Sequence, residues 1–254
     1  MPAEVYSGFL LDWKRSLAVA KKNAKIYYLK PPVLIFGLLF PFFMFLAFAM
    51  GRGVNPASLV PGLIGITVLF TASSVGPLIA PWERQAKTYE RLISAPLSLW
   101  HIIIGDILAG FAYGLVISLV PIMLGVTFFG ARLAHPFYFL ITMLISVYCF
   151  AVLGTLLAAL PTDQPSNVMM LSNLVRLPLL FISGVFVPLD RLPVWGQIIA
   201  AISPLSYTVD LIRWSFGEQQ FFKLFVSYPV LVVYTILLML LASLAHKRGI
   251  RKLF

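Results

Sequence analysis

Between Glu83 and Arg91, nine residues carry five charges: Glu83, Arg84, Lys87, Glu90 and Arg91. Glu83 and Lys87 are four apart, as are Lys87 and Arg91, which predicts one charged helical face. Tyr89, Leu92 and Ile93 fall on a neighbouring face, and Pro96 ends the turn. The stretch reads either as a short amphipathic helix lying on a membrane surface or as a solvated loop.

Two acid–base groups lie within apolar runs. Arg176 sits deep in one, with Asn173 one turn earlier. A guanidinium in hydrocarbon costs roughly 2.5–3.5 kcal/mol on insertion scales, so it must face protein or water. It contacts either a polar substrate group or carbonyls of a facing helix. Asp106 either reaches headgroups or is an acid favoured by the dipole of a helix start. The run at ~33–50 holds Phe36, Phe40, Phe42, Phe43, Phe45 and Phe48. These aromatics line an apolar path, or else face lipid and neighbouring helices.

Other chemistry is missing from the sequence. No GxxxxGK[ST] loop is present for ATP, and neither HExxH nor GxSxG occurs. His101, His135 and His246 are scattered, so no zinc or other metal site is expected, and no nucleophile is paired with a base. The single cysteine, Cys149, excludes an intrachain disulfide. The chain is expected to bind no cofactor and to catalyse no covalent step by itself.

The elements that must hold these residues belong to a membrane. Of 254 residues 60% are hydrophobic and 11% charged, which excludes a soluble domain, and apolar runs of spanning length recur. The net charge of +10 flanks those runs, so it addresses lipid headgroups and orientation instead of nucleic acid. Residues ~6–28 set Tyr6, Phe9, Leu10, Trp13, Leu17, Ala20, Ala24 and Tyr27 against Lys14, Arg15, Lys21, Lys22 and Lys25. That pattern describes a helix in the headgroup layer, or one packed on a soluble partner. Charges run through its whole length, which is unlike a signal peptide.

Six spans are expected, at ~33–50, ~58–80, ~101–129, ~136–160, ~166–187 and ~226–245. The third contains Gly110 and Gly114, a spacing that permits close helix approach. Between ~188 and ~225, Pro188, Pro193 and Pro204 interrupt a helical period, so short broken helices are expected there. The fold class is therefore an all-α integral membrane protein. Residues 1–254 form one unit, with an interfacial amphipathic helix over 1–30 and a six-span bundle over 31–254.

Lysine and arginine set the orientation. Six lie in the amino-terminal segment, three in the central stretch and four in the tail after Ala245. The alternate loops hold Arg52, Arg132, Arg191, Arg213 and Lys223. This asymmetry predicts that both termini and the central stretch are cytoplasmic and that the broken helices face outside.

Two segments carry a resemblance to a known family. ERQAKTYERLISAPLSLWHIIIGDIL resembles the cytoplasmic segment of permease subunits of type-2 ATP-binding-cassette (ABC) exporters. Thr88, Glu90, Arg91, Leu92, Pro96, Leu97 and Gly105 fall in register, and Asp106 stands where lysine is common. FISGVFVPLDRLPVWGQIIAAISPLSYTVDLIR is similar to that family's outer stretch at Ser183, Gly184, Pro188, Leu192, Pro193, Pro204, Leu205, Asp210 and Arg213, nearest to its drug and lipo-oligosaccharide branch. The resemblance implies a multi-pass plasma-membrane permease that moves an amphiphile outward. It implies paired permease copies, two separate ABC-type ATPase subunits that supply ATP and Mg, and coupling through Glu83, Arg84, Lys87, Thr88, Glu90 and Arg91. Phe40, Phe43, Asn173 and Arg176 are the expected lining of the path. A passive channel or pore is the competing reading, and it would need no ATPase. A lipid-modifying membrane enzyme is a third, for which the sequence holds no nucleophile or carboxylate constellation.

Overall fold

The computed structural model describes residues 9–28, 30–49, 56–88, 95, 97–159 and 164–251, and every regular element among them is helical. Helix α1 (Phe9–Tyr27) is followed by α2 (Pro31–Leu34), a π-helical stretch (Ile35–Leu39) and α3 (Phe40–Ala49). The π stretch has a local cause. Pro41 offers no N–H to the carbonyl of Gly37, and the Phe40 N–H instead reaches back to Ile35 O.

A 3₁₀ turn (Pro56–Leu59) leads into α4 (Val60–Ser74) and α5 (Gly76–Gln85). Then come α6 (Leu99–Thr127), α7 (Pro136–Ala158) and α8 (Pro165–Ile182). Five stretches are long and apolar enough to cross a membrane: Pro56–Gln85, Leu99–Thr127, Pro136–Ala158, Pro165–Ile182 and Leu224–Arg248. The run expected as the first span is the π-interrupted helix from Pro31 to Ala49, packed on α4. The prolines after α8 do produce short pieces: a 3₁₀ turn (Leu189–Arg191), α9 (Val194–Ala200) and α10 (Pro204–Ser215). Helix α11 (Leu224–Arg251) closes the bundle.

The bundle is built around α4, all fifteen residues of which are buried. It packs against α3, α6, α7 and α10. Its hydroxyls turn inward onto its own backbone: Thr67 Oγ1 donates to Leu63 O at 2.8 Å and Thr71 Oγ1 to Thr67 O at 2.6 Å. Close approach to α6 depends on the two glycines noted in the sequence. A Cβ at Gly110 would lie 2.8 Å from Ala72 O, and one at Gly114 would lie 3.0 Å from Ala72 Cβ.

Candidate functional site

Two sets of residues meet on the α4–α5 span. The first gathers at its far end, where α1 lies across the start of α6 and the end of α5. Helix α1 turns Ser16, Val19, Ala20, Asn23 and Tyr27 inward, a face with i, i+3, i+4 spacing. Trp13 and Leu17, of the apolar face expected at headgroup depth, are exposed, as are Lys14, Lys21 and Lys25. Small residues on the inner face explain the choice, because a Cβ at Gly105 of α6 would fall 2.6 Å from Val19 Cβ. Bulkier side chains could not approach so closely.

Polar contacts fasten this packing. Asp12 Oδ1 lies 3.0 Å from His101 Nε2, whose Nδ1 meets the Ser98 N–H at 2.9 Å and so caps α6. Asn23 Nδ2 donates to Asp106 Oδ1 at 2.5 Å. Asp106 is thus covered by α1, a position that neither sequence expectation foresaw, because no local signal reports a partner 83 residues away. Glu83 is 2% exposed, pairs with Lys22 and accepts a 3.2 Å hydrogen bond from Tyr27 Oη. Burial, reinforced by the Glu83 carboxylate, raises the Tyr27 hydroxyl well above its usual range, so it stays a donor. Trp82 stacks on Tyr27 at 5.6 Å and 13°, and Lys30 Nζ rests 4.1 Å from the Trp82 ring centroid.

The charged face expected over 83–91 takes a different form where it is described. Glu83 and Arg84 belong to the last turn of α5, and the helix stops at Gln85. The Lys87 N–H donates to Arg84 O at 3.0 Å and the Thr88 N–H to Glu83 O at 2.9 Å, with Lys87 at φ 54°. This is a Schellman end with lysine in the left-handed position where glycine is usual. Glu83 therefore points inward, while Lys87 lies exposed beyond the helix and Thr88 follows it. Glu90 and Arg91 lie outside the described residues.

The second set lies ten residues earlier on the same span. Helices α4 and α5 meet at Val75, and Pro77 withholds the N–H that the Ser73 carbonyl would receive in a continuous helix. Arg176 of α8 supplies a donor in its place: its Nη2 donates to Ser73 O. Neighbouring helices commonly satisfy backbone groups freed in this way. Arg176 is 1% exposed, its Nη1 donates to Asn173 Oδ1 at 3.4 Å, and its Cζ lies 5.9 Å from the Phe70 centroid. Phe40 of α3 touches the same ring at 4.9 Å. The structure thus joins Phe40 and Arg176 through Phe70, a residue the sequence did not single out, and Asn173 through its bond to Arg176. Phe43 is separate from them and 60% exposed. Of the two roles open to Arg176, the contact seen is with a carbonyl of a facing helix.

The segment between α8 and α11 is clasped in a similar way. Arg213 Nη2 donates to Gly184 O (3.2 Å) and Val185 O (3.3 Å), and its Nη1 donates to Glu218 Oε2 (2.9 Å). Gly184 follows α8 at φ 71°. Asp210 accepts the Phe221 and Phe222 N–H groups at 2.8 and 2.9 Å, fixing the turn into α11. Burial raises the Asp210 carboxyl, against the lowering effect of those amides and of Arg213. The Asp-x-x-Arg pair therefore organises both sides of α10. Among the described residues no group of three or more His, Cys, Asp or Glu could hold a metal ion.

A bundle of apolar helices of spanning length, with an amphipathic helix laid across its charged end, defines a multi-pass integral membrane protein. The model of the ABC-2 type transporter family matches residues 9–217, and the chain belongs to that family. Among curated relatives, it is 30% identical to Nodulation protein J of Rhizobium leguminosarum bv. viciae, over 96% of this chain and 95% of the relative. It is 29% identical to the putative transport permease ycf38 of Cyanophora paradoxa, over 76% and 70%. It is 24% identical to the inner membrane transport permease YadH of Escherichia coli K12, over 75% and 74%. Membership implies an ABC ATPase as partner.

Proposed function

We propose that this chain is the membrane subunit of an ABC exporter that carries an amphiphile, such as a drug, a lipid or a lipo-oligosaccharide, out of the cell. ATP and Mg are bound and consumed by a separate ATPase. Two permease copies pair in the plasma membrane, two ATPase subunits dock beneath them, and both termini are cytoplasmic. Lys87 and Thr88, with Arg84, Glu90 and Arg91, form the contact with the ATPase. Glu83 acts behind them as the tie to α1.

One observation carries this reading: the span that ends at the charged stretch is also the span broken at Val75–Pro77. Glu83 ties its end to Lys22 of α1, and Ser73 ties its middle to Arg176. The two ties are ten residues apart, ~15 Å along a helix. A force applied to the stretch therefore reaches the surface helix through α5 and the interior across the α4–α5 junction. Phe40, Asn173 and Arg176 border the path, with Phe43 on the exposed face toward the second copy. Asn173 and Arg176 favour protein or substrate over lipid beside α8, because hydrocarbon would not solvate them.

The double charge reversal Glu90→Lys with Arg91→Glu tests the coupling role. It should leave insertion intact and lower both ATPase co-purification and ATP-dependent export in inverted vesicles. Wild-type export by that variant would refute the role, and substrate flux without any ATPase would favour a pore.

A further inference from the structure

A cavity of about 440 Å³ opens between α1 and the end of α5, lined by Lys22, Ile26, Tyr27, Lys30, Trp82 and Glu83 among others. We propose that it holds the headgroup of an anionic phospholipid from the leaflet on which α1 lies. The site concerns lipid on that face and holds whether or not the chain exports an amphiphile.

Charge is the first support. The ammonium groups of Lys22 and Lys30 lie 5.8 and 5.1 Å from the Tyr27 ring centroid, so both flank one wall. Among the described residues Glu83 is the carboxylate in the lining, and it is already bonded to Lys22 and Tyr27. No carboxylate among the described residues pairs with Lys30, which rests on the Trp82 face. Cation–π contact positions that ammonium without cancelling its charge. The described residues of the lining thus keep a net positive charge that a phosphate can complete.

Shape and surroundings are the second. The stacked Tyr27 and Trp82 rings form a flat apolar wall, with Ala86 beside it and Ile26 half-exposed at 49%. A phosphodiester has its glycerol and first acyl carbons within reach of just such a wall, whereas a free phosphate would leave it uncovered. Along the same helix Trp13, Leu17 and Ile26 are exposed together with Lys14, Lys21 and Lys25. That mixture seats a helix at headgroup depth. Basic pockets between membrane helices recognise anionic headgroups by this chemistry.

The test uses the full chain in nanodiscs of phosphatidylcholine with or without phosphatidylglycerol, reading retained lipid by native mass spectrometry. Lys30→Gln should bind phosphatidylglycerol about fivefold more weakly, the change expected for one basic residue near an anionic leaflet. Lys30→Arg should retain it. Lys14→Gln, which removes the same charge from the helix away from the cavity, should have a much smaller effect. In the unsubstituted chain, headgroup-proximal brominated phosphatidylglycerol should quench tryptophan fluorescence more than brominated phosphatidylcholine does, and Trp82→Phe should remove that excess. Equal effects of Lys14→Gln and Lys30→Gln, or quenching indifferent to Trp82, would overturn the proposal. Inorganic phosphate displacing the lipid at millimolar concentration would identify a free-anion site and overturn it too. Loss of the ATPase from Lys30→Gln with lipid retention unchanged would make the cavity a protein contact, and the lipid assignment would be wrong.

Discussion

At the scale of single residues, Arg176 and Lys87 each occupy a position that an ordinary rule disfavours. For Arg176 the compensation is the Ser73 carbonyl left open by Pro77. Arg176→Leu should therefore lower stability by about 1–3 kcal/mol, the cost of an unsatisfied buried polar group. Adding Pro77→Ala returns an N–H to that carbonyl and should recover part of the loss, read as the midpoint of thermal unfolding in detergent. A double variant no more stable than the single one would show that the guanidinium does something else. For Lys87 no compensation is visible in the described residues, so Lys87→Gly should stabilise the helix end by roughly 1 kcal/mol. If Lys87 also meets the ATPase, the same change should weaken co-purification while raising the melting point, a split that a purely structural residue would not give.

At the scale of elements, the tie between α1 and α5 can be tested by exchange. Lys22→Glu alone places a half-buried carboxylate beside the buried Glu83 and should cost about 1–3 kcal/mol. Combining it with Glu83→Lys rebuilds the pair and should restore most of the stability, and no recovery would refute the tie. The sequence locates α1 and all the apolar runs, because helix-period patterning and length are local properties. Its apolar pattern picks out Trp13 and Leu17, which are exposed, and gives no signal that Ser16, Val19 and Asn23 point inward onto the bundle. Hydrophobicity ranks side chains by their aversion to water, but in a membrane protein proximity of backbones selects small ones. The same limit applies to Glu83 and Lys87. Their spacing presumes a continuing helix, and the left-handed turn that separates them has no glycine to announce it.

At the scale of the whole molecule, the fold class and the order of spans are legible from composition and run length alone. The partners of Asp106, Arg176 and Arg213 are not, because each lies on another segment far along the chain. The proposed orientation makes a prediction at this scale. The sole native thiol, Cys149, is buried, so introduced cysteines report cleanly. Lys87→Cys should be labelled by an impermeant maleimide in inverted vesicles only, and Gln219→Cys in intact cells only. The opposite pattern would reverse the arrangement of the protein in its membrane. The junction between α4 and α5 carries a last consequence. A helix normally resists bending because bending stretches its ladder of backbone bonds, yet here the rung at Ser73 is already handed to a side chain on another span. The angle between the two halves is consequently set by packing against Gly154, where an added Cβ would lie 2.8 Å from Ser73 Cα, together with one guanidinium. Flexing there would disturb side-chain contacts while sparing the intrahelical ladder, a compliance that no unbroken stretch of the same span possesses.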